Sequence, residues 1–256
     1  MMAVAEFAYA QARIEARHGE RLLDVDWKTL ESSLSLPRYL ERARSTVLKR
    51  FLTHVSSDMS VHAIERVLRR EVARYVCEIA SWAPRRWRPA IAWLAALPFL
   101  PLLEGLRDCA SPPSWIGDDS MLGAPPSSGT ESARPIAAAA ARLVEIQGAQ
   151  TGTGRRWLRR WRQLWPQGDA AAVDLTRLAD QIVRALASAG GQQEATGGQS
   201  SRRDLIGVLT RFFRSHGASP VALVCHVGLV LIDVERLRGG LVRRSLLGVD
   251  EERIAA

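Results

Sequence analysis

The stretch Ser219–Ala256, SPVALVCHVGLVLIDVERLRGGLVRRSLLGVDEERIAA, decides how the chain is read. Ser219 followed by Pro220 predicts a helix start, because the hydroxyl can accept a free first-turn N–H and proline fits the first helical position. From Val221 to Ile232 almost every residue is apolar, interrupted only by His226 and Gly228. A helix apolar on most sides must be buried among other helices, and this one falls short of the ~20 apolar residues that cross a bilayer. Asp233 then shares a face with Leu229 and Leu237, so a charge enters the packed side. Its expected partner is Arg236, within i,i+3 reach, or an arginine of another helix, in which case the pair fixes helix register. Gly239-Gly240 comes next. Each glycine costs about 1 kcal/mol relative to alanine inside a helix, which predicts a bend or break there.

Working outward, the chain is rich in Ala, Leu and Arg, poor in β-branched runs, and 47% hydrophobic over 256 residues. That composition predicts an all-α protein with ample material for a core. Cys77, Cys109 and Cys225 are odd in number and far apart, with no CxxC pair, so neither a disulfide framework nor a zinc site is expected. They read as small buried residues. The start of the chain lacks a basic region ahead of an apolar core, which argues against a secretory signal and for the cytoplasm. The net charge of +8, mostly arginine, fits nucleic acid, an anionic membrane surface or an acidic protein partner, and its sign does not choose among them.

The domain pattern expected is an N-terminal helical lobe at 1–110, a Pro/Ser/Gly-rich linker at 111–134, and a C-terminal helical region at 135–256 with a second flexible break near 190–201. Within the first lobe the spacing predicts helix from Ala3 to Leu23, a break at Leu36-Pro37, and helix again over Arg38–Val55. Ser60 caps the clearest amphipathic pattern, with Val61, Ile64, Leu68, Val72, Tyr75 and Ile79 on one face. Pro84 ends that helix, and Pro89, Pro98 and Pro101 cut the next apolar stretch into short pieces. In the C-terminal region an alanine-rich helix from Pro135 to Gln147, the segment RRWLRRWRQLWP, and helices over Val173–Ala189 and Arg203–Phe213 precede the final one.

RRWLRRWRQLWP, Arg155–Pro166, offers the sharpest competing signal. Trp and Arg together can stack on bases and hold phosphates, or sit at a membrane interface. Tryptophans at 157, 161 and 165 with Leu164, ringed by Arg155, Arg156, Arg159 and Arg160, more simply make a packed face with a solvated rim. Catalysis finds little support. The five histidines are scattered, and neither a G-x-x-x-x-G-K-S/T phosphate loop nor an H-E-x-x-H metal helix is present. Asp118-Asp119 fall in the linker, and Asp24 and Asp26 read as helix-start acids. No cofactor, metal ligand or catalytic residue is assigned.

The closing stretch resembles a known family. The order Pro220, apolar helix, Ile232-Asp233-Val234-Glu235-Arg236-Leu237-Arg238, the basic pair Arg243-Arg244, Leu247-Gly248-Val249, Asp250-Glu251-Glu252 and Ile254 is similar to the end of the C subunit of the rotary A/V-type ATPases, called the d subunit in eukaryotes. Tyr9, Ala12-Arg13, Arg17 and Arg21-Leu22-Leu23, then Asp26-Trp27 and Leu30, resemble that family's opening pattern. Asp233 stands where the family usually has Glu, Arg236 where it usually has Asn, and Gly239-Gly240 carries one inserted residue. Leu102–Arg107 reads as a degraded earlier copy of the polar turn. The resemblance implies a multi-lobed helical bundle, a reduced form of a three-lobed pseudo-repeat funnel. It implies a non-catalytic central-rotor subunit that couples the central stalk to the membrane rotor ring, in the cytoplasm and peripheral on the inner face of the membrane. Interface or register candidates are then Asp233, Glu235, Arg236, Arg238, Arg13, Arg17, Arg159 and Arg160. The alternative is a basic helical adaptor binding nucleic acid or anionic membrane through Arg155–Arg162, with nucleic acid the less favoured partner.

Overall fold

A computed structural model describes the backbone of residues 2–107, 153–190 and 197–255, and side chains over most of that range. Among the described residues the protein is all-helical, with no strand. The linker at 111–134 and the alanine-rich helix expected over Pro135–Gln147 lie outside the described residues. The elements are α1 Met2–Gly19, α2 Asp24–Glu31, α3 Leu36–Arg44, a 3-10 turn Val47–Phe51, α4 Val61–Trp82, α5 Arg88–Ala92, a second 3-10 segment Trp93–Phe99, α6 Leu100–Arg107, α7 Thr153–Gln163, α8 Ala171–Gly190, α9 Gly197–Ser215 and α10 Pro220–Ala255. None of these helices is long and apolar enough to cross a membrane.

Caps are where sequence and structure agree most closely. Ser60 Oγ accepts from Ala63 N at the head of α4, and Ser219 Oγ accepts from Ala222 N at the head of α10. Asp26 Oδ2 accepts from Leu23 N, half of a capping box that starts α2 with both its acids in the first turn. Other boundaries move. The helix expected to run to Leu23 stops at Gly19. That expected over Arg38–Val55 begins at Leu36, because Pro37 suits a first turn, and stops at Arg44, where the Ser45 and Thr46 hydroxyls turn back onto the Arg42 and Ala43 carbonyls. A 3-10 turn replaces the remainder. The break expected across Gly190–Ser201 is entered from its C-terminal side by α9, helical from Gly197.

The chain forms two compact units, and each draws on early, middle and late sequence. Unit 1 comprises Met1–Gly19, Glu78–Leu94 and Arg160–Ile232. Its core holds Phe7 and Ile14 of α1, Ile79 of α4, Trp87, Trp93 and Trp161, Leu175 and Leu178 of α8, and the apolar run of α10 from Val221. Helices α8 and α9 pack on each other, and α9 brings Leu209 against Gly228 of α10, where a Cβ would stand 3.2 Å from the leucine methyl. Trp161 is anchored as well as buried: its indole N–H donates to the Ala90 carbonyl at 3.0 Å. Asp169 caps α8 through Ala171 N and accepts the Trp87 indole N–H at 3.1 Å.

Unit 2 comprises Glu20–Cys77, Ala95–Arg159 and Asp233–Ala256. Its core gathers Trp27 and Leu30, Tyr39 and Leu40, Phe51 and Leu52, Ile64, Leu68 and Val72 of α4, Phe99, and Leu237 and Leu241 of α10. Cys225, in unit 1, is buried as expected and burial raises its thiol to about 12; Cys77 is only half-buried, against the expectation of a buried residue, and Cys109 lies outside the described residues.

The Trp/Arg helix α7 turns Trp157 and Trp161 inward and leaves Arg155, Arg159 and Arg160 exposed. Replacing Trp161 with alanine should cost about 3–5 kcal/mol of stability. Reversing Arg159 and Arg160 together to glutamate should cost no more than about 0.5 kcal/mol, as measured by urea unfolding.

Candidate functional site

The candidate site is the polar turn of α10 and what it grips. The turn is helical throughout, so side chains three and four apart leave on neighbouring faces and reach different partners. Arg21, in the bend after α1, meets Asp233 in a two-toothed pair, Nε to Oδ2 at 2.7 Å and Nη2 to Oδ1 at 3.0 Å. Both side chains are largely buried, at 17% and 13% exposure. The charge on the packed face is thus met by an arginine 212 positions away, and Arg236 is engaged elsewhere. Arg236 forks onto Glu31 of α2 at 2.6 and 2.8 Å, reaches Asp24 at 3.4 Å, and lies over the Trp27 ring. Arg238 grips Glu235 on its own helix and Glu65 of α4, each at 2.6 Å. Such forked pairs fix geometry more firmly than single contacts do.

One turn further on, Arg244 does something that charge counting does not reveal. Its guanidinium is buried and bonds three backbone carbonyls: Ser33 and Glu31 at 2.7 Å and Gly240 at 2.8 Å. The first two lie just at the end of α2, where carbonyls have no helical donor, so Arg244 caps α2 from another helix. Removal from water lowers its pKa, and the Tyr39 ring lies 4.1 Å beneath its Cζ.

Gly239-Gly240 does not break the helix. α10 runs unbroken from Pro220 to Ala255. The two glycines differ in kind. Gly239 has open space where a Cβ would be, whereas a Cβ on Gly240 would stand 2.6 Å from Tyr39 Cζ and closer still to the hydroxyl. Tyr39 is fully buried, its hydroxyl has no hydrogen-bond partner among the described residues, and burial pushes its pKa up to about 12. The missing side chain at 240 makes room for an aromatic ring against the helix backbone.

The remaining candidates are spread over the surface of unit 1 and along α7. Arg13 donates to Tyr9 Oη and lies 4.4 Å over the Trp82 ring; Arg17 forks onto Glu78 at 2.6 and 3.1 Å and lies 4.6 Å from the same ring. Arg159 and Arg160 are exposed, and Arg160 reaches Gln163 at 3.3 Å. The structure therefore gathers Asp233, Glu235, Arg236 and Arg238 on the polar turn of α10 in three separate pairings: Asp233 with Arg21, Arg236 with Glu31 and Asp24, and Arg238 with Glu235 and Glu65. Arg244, Tyr39 and Gly240 lie beside them; the sequence reading passes over Tyr39, takes Gly240 for a helix break and Arg244 for half of a basic pair, and misses the role of all three. The sequence signal for the buried role of Arg244 is its i+4 spacing from Gly240 on the face of Leu237 and Leu241.

A second constellation lies at the end of α9, where Ser215 Oγ sits 2.8 Å from His216 Nδ1 and Asp174 lies 3.7 Å from Nε2. That order suggests nucleophile, base and orienting acid. Yet Ser215 Oγ is 2.9 Å from the Arg211 carbonyl and His216 Nδ1 is 3.1 Å from that of Phe212. These groups close the C-terminal turn of α9, where a histidine beside free carbonyls is favourable. Among the described residues no cluster of His, Cys, Asp or Glu is placed to hold a metal ion.

Compared with family models, curated proteins and solved structures, the chain finds no match.

Two outcomes test the site. Gly240→Ala should cost about 2 kcal/mol, since ring and backbone must part, while Gly239→Ala should gain up to about 1 kcal/mol; urea midpoints of the two variants will shift in opposite directions. The second concerns acid. The Arg236 hydrogen bond holds the Glu31 carboxyl below the usual carboxylate range, and Glu31 in turn raises Arg236. A lowered folded-state pKa gives stability that is complete above the unfolded value of about 4.3 and is lost as pH falls through the folded one. Unfolding midpoints should therefore drop between about pH 5 and pH 3, and drop less in Arg236→Ala.

Proposed function

We propose that this chain is a non-catalytic central-rotor subunit resembling the C subunit of an A/V-type ion-translocating ATPase, in a reduced multi-lobed helical form, coupling the central stalk to the membrane rotor ring. It would work in the cytoplasm, peripheral on the inner face of the membrane. The observation that supports this most is the meeting of the two patterns behind the resemblance: Arg21 and Trp27 of the opening pattern engage Asp233 and Arg236 of the closing one. A part that transmits torque needs its helices held in one register, and forked pairs between distant segments set that register without reactive chemistry. Less favourable to the adaptor alternative is the burial of Trp157 and Trp161, which keeps two of the three tryptophans of that segment from stacking on bases, while Trp165 is half-buried.

The test is isolation of the native, tagged protein from its own cells. Stalk and ring subunits should co-purify with it. Asp233→Ala removes the forked, largely buried carboxylate that Arg21 grips and should cost about 2 kcal/mol with loss of coupled ion transport. Glu235→Ala leaves Arg238 paired with Glu65 and should cost under about 0.5 kcal/mol. A free monomer with tight, salt-sensitive nucleic-acid binding would overturn the proposal.

A further inference from the structure

We propose that Glu20–Ser35 is a strap that opens on its own, with the guanidinium groups of α10 as its latch. The strap holds α2 and its flanks, all within unit 2. Helix α2 buries only Trp27 and Leu30 of its eight residues. Its outer side and flanks face solvent, with Leu34 91% and Asp24 88% exposed, and Leu23 and Val25 more than half exposed. Two buried side chains are a thin apolar anchor for a segment of this length, so its order depends on polar contacts. Those contacts come largely from α10. Arg236 holds Glu31 and Asp24, Arg244 holds the carbonyls of Glu31 and Ser33, and Asp233 holds Arg21; from α3, Arg42 adds a bond to the Thr29 carbonyl at 3.0 Å.

Segments with few buried apolar groups, held mainly by polar contacts to one neighbour, open locally, well below the energy of global unfolding. By contrast the part of α4 in the same unit buries Ile64, Val67, Leu68, Val72, Ala73 and Val76. Opening the strap bares the Trp27 ring and the Arg236 fork together, while α3, α4 and α10 keep their own packing. This is a property of the chain alone and does not depend on the rotor reading.

Hydrogen exchange on the full chain, followed peptide by peptide, tests it. Amides of the strap helix should exchange at least about tenfold faster than those of α4 within unit 2. Arg236→Ala should speed the strap about tenfold more and leave α4 unchanged, and the gentler Glu31→Gln should act in the same direction. Arg238→Ala, whose partners are Glu235 and Glu65, should leave the strap as it is. Strap and α4 exchanging together in the wild type, or Arg236→Ala speeding both alike, would overturn the proposal.

Discussion

The structure of unit 2 depends on one constraint: guanidinium groups on the last helix must find partners on the first segment of the chain. An arginine inserted beside Trp27, or buried under Ser33, is costly unless its donors are met. Glu31, Asp24 and three carbonyls meet them. This requirement sets the register of α10 against α2 and α3. The leucines Leu237 and Leu241 alone would tolerate α10 sliding by a turn, because they are alike; the close fit of Gly240 to the Tyr39 ring forbids it on packing grounds. The forked pairs and the carbonyl clamp forbid it as well.

The same logic relates the polar turn to its place in the chain. Asp233 is the first residue of α10 to belong to unit 2, directly after the apolar run that packs unit 1. The helix changes character where its surroundings change: apolar on nearly all sides before Asp233, then charged on successive faces, each toward a different neighbour. Arg21 holds an equivalent position in α1's continuation, just past the boundary at Gly19.

Much of this is legible in the sequence. All-α composition, the caps at Ser60 and Ser219, the proline-cut middle and the inward tryptophans follow from local chemistry, and local chemistry is what a sequence displays. Asp233 on the packed face is equally plain, since period alone places it beside Leu229 and Leu237. Its partner is not, because nothing near Asp233 in sequence points to a residue 212 positions away. The glycine pair misleads for a related reason. Propensity counts each glycine as a weakness, but at Gly240 a close approach by Tyr39 uses the missing side chain, and tertiary contact overrides propensity. Arg244 stays hidden because a guanidinium bound to carbonyls leaves no charge pattern to find.

The contact between Gly240 and Tyr39 also constrains how this chain could drift through evolution. A side chain at 240 and the aromatic ring at 39 compete for the same space, so neither position can change freely while the other stays. Charged pairs are more forgiving, since Asp for Glu or a swapped partner keeps the attraction. Distant relatives that have reshuffled every ion pair in the polar turn would still be expected to keep a small residue and a ring at these two places, and the pair is the more durable mark of kinship.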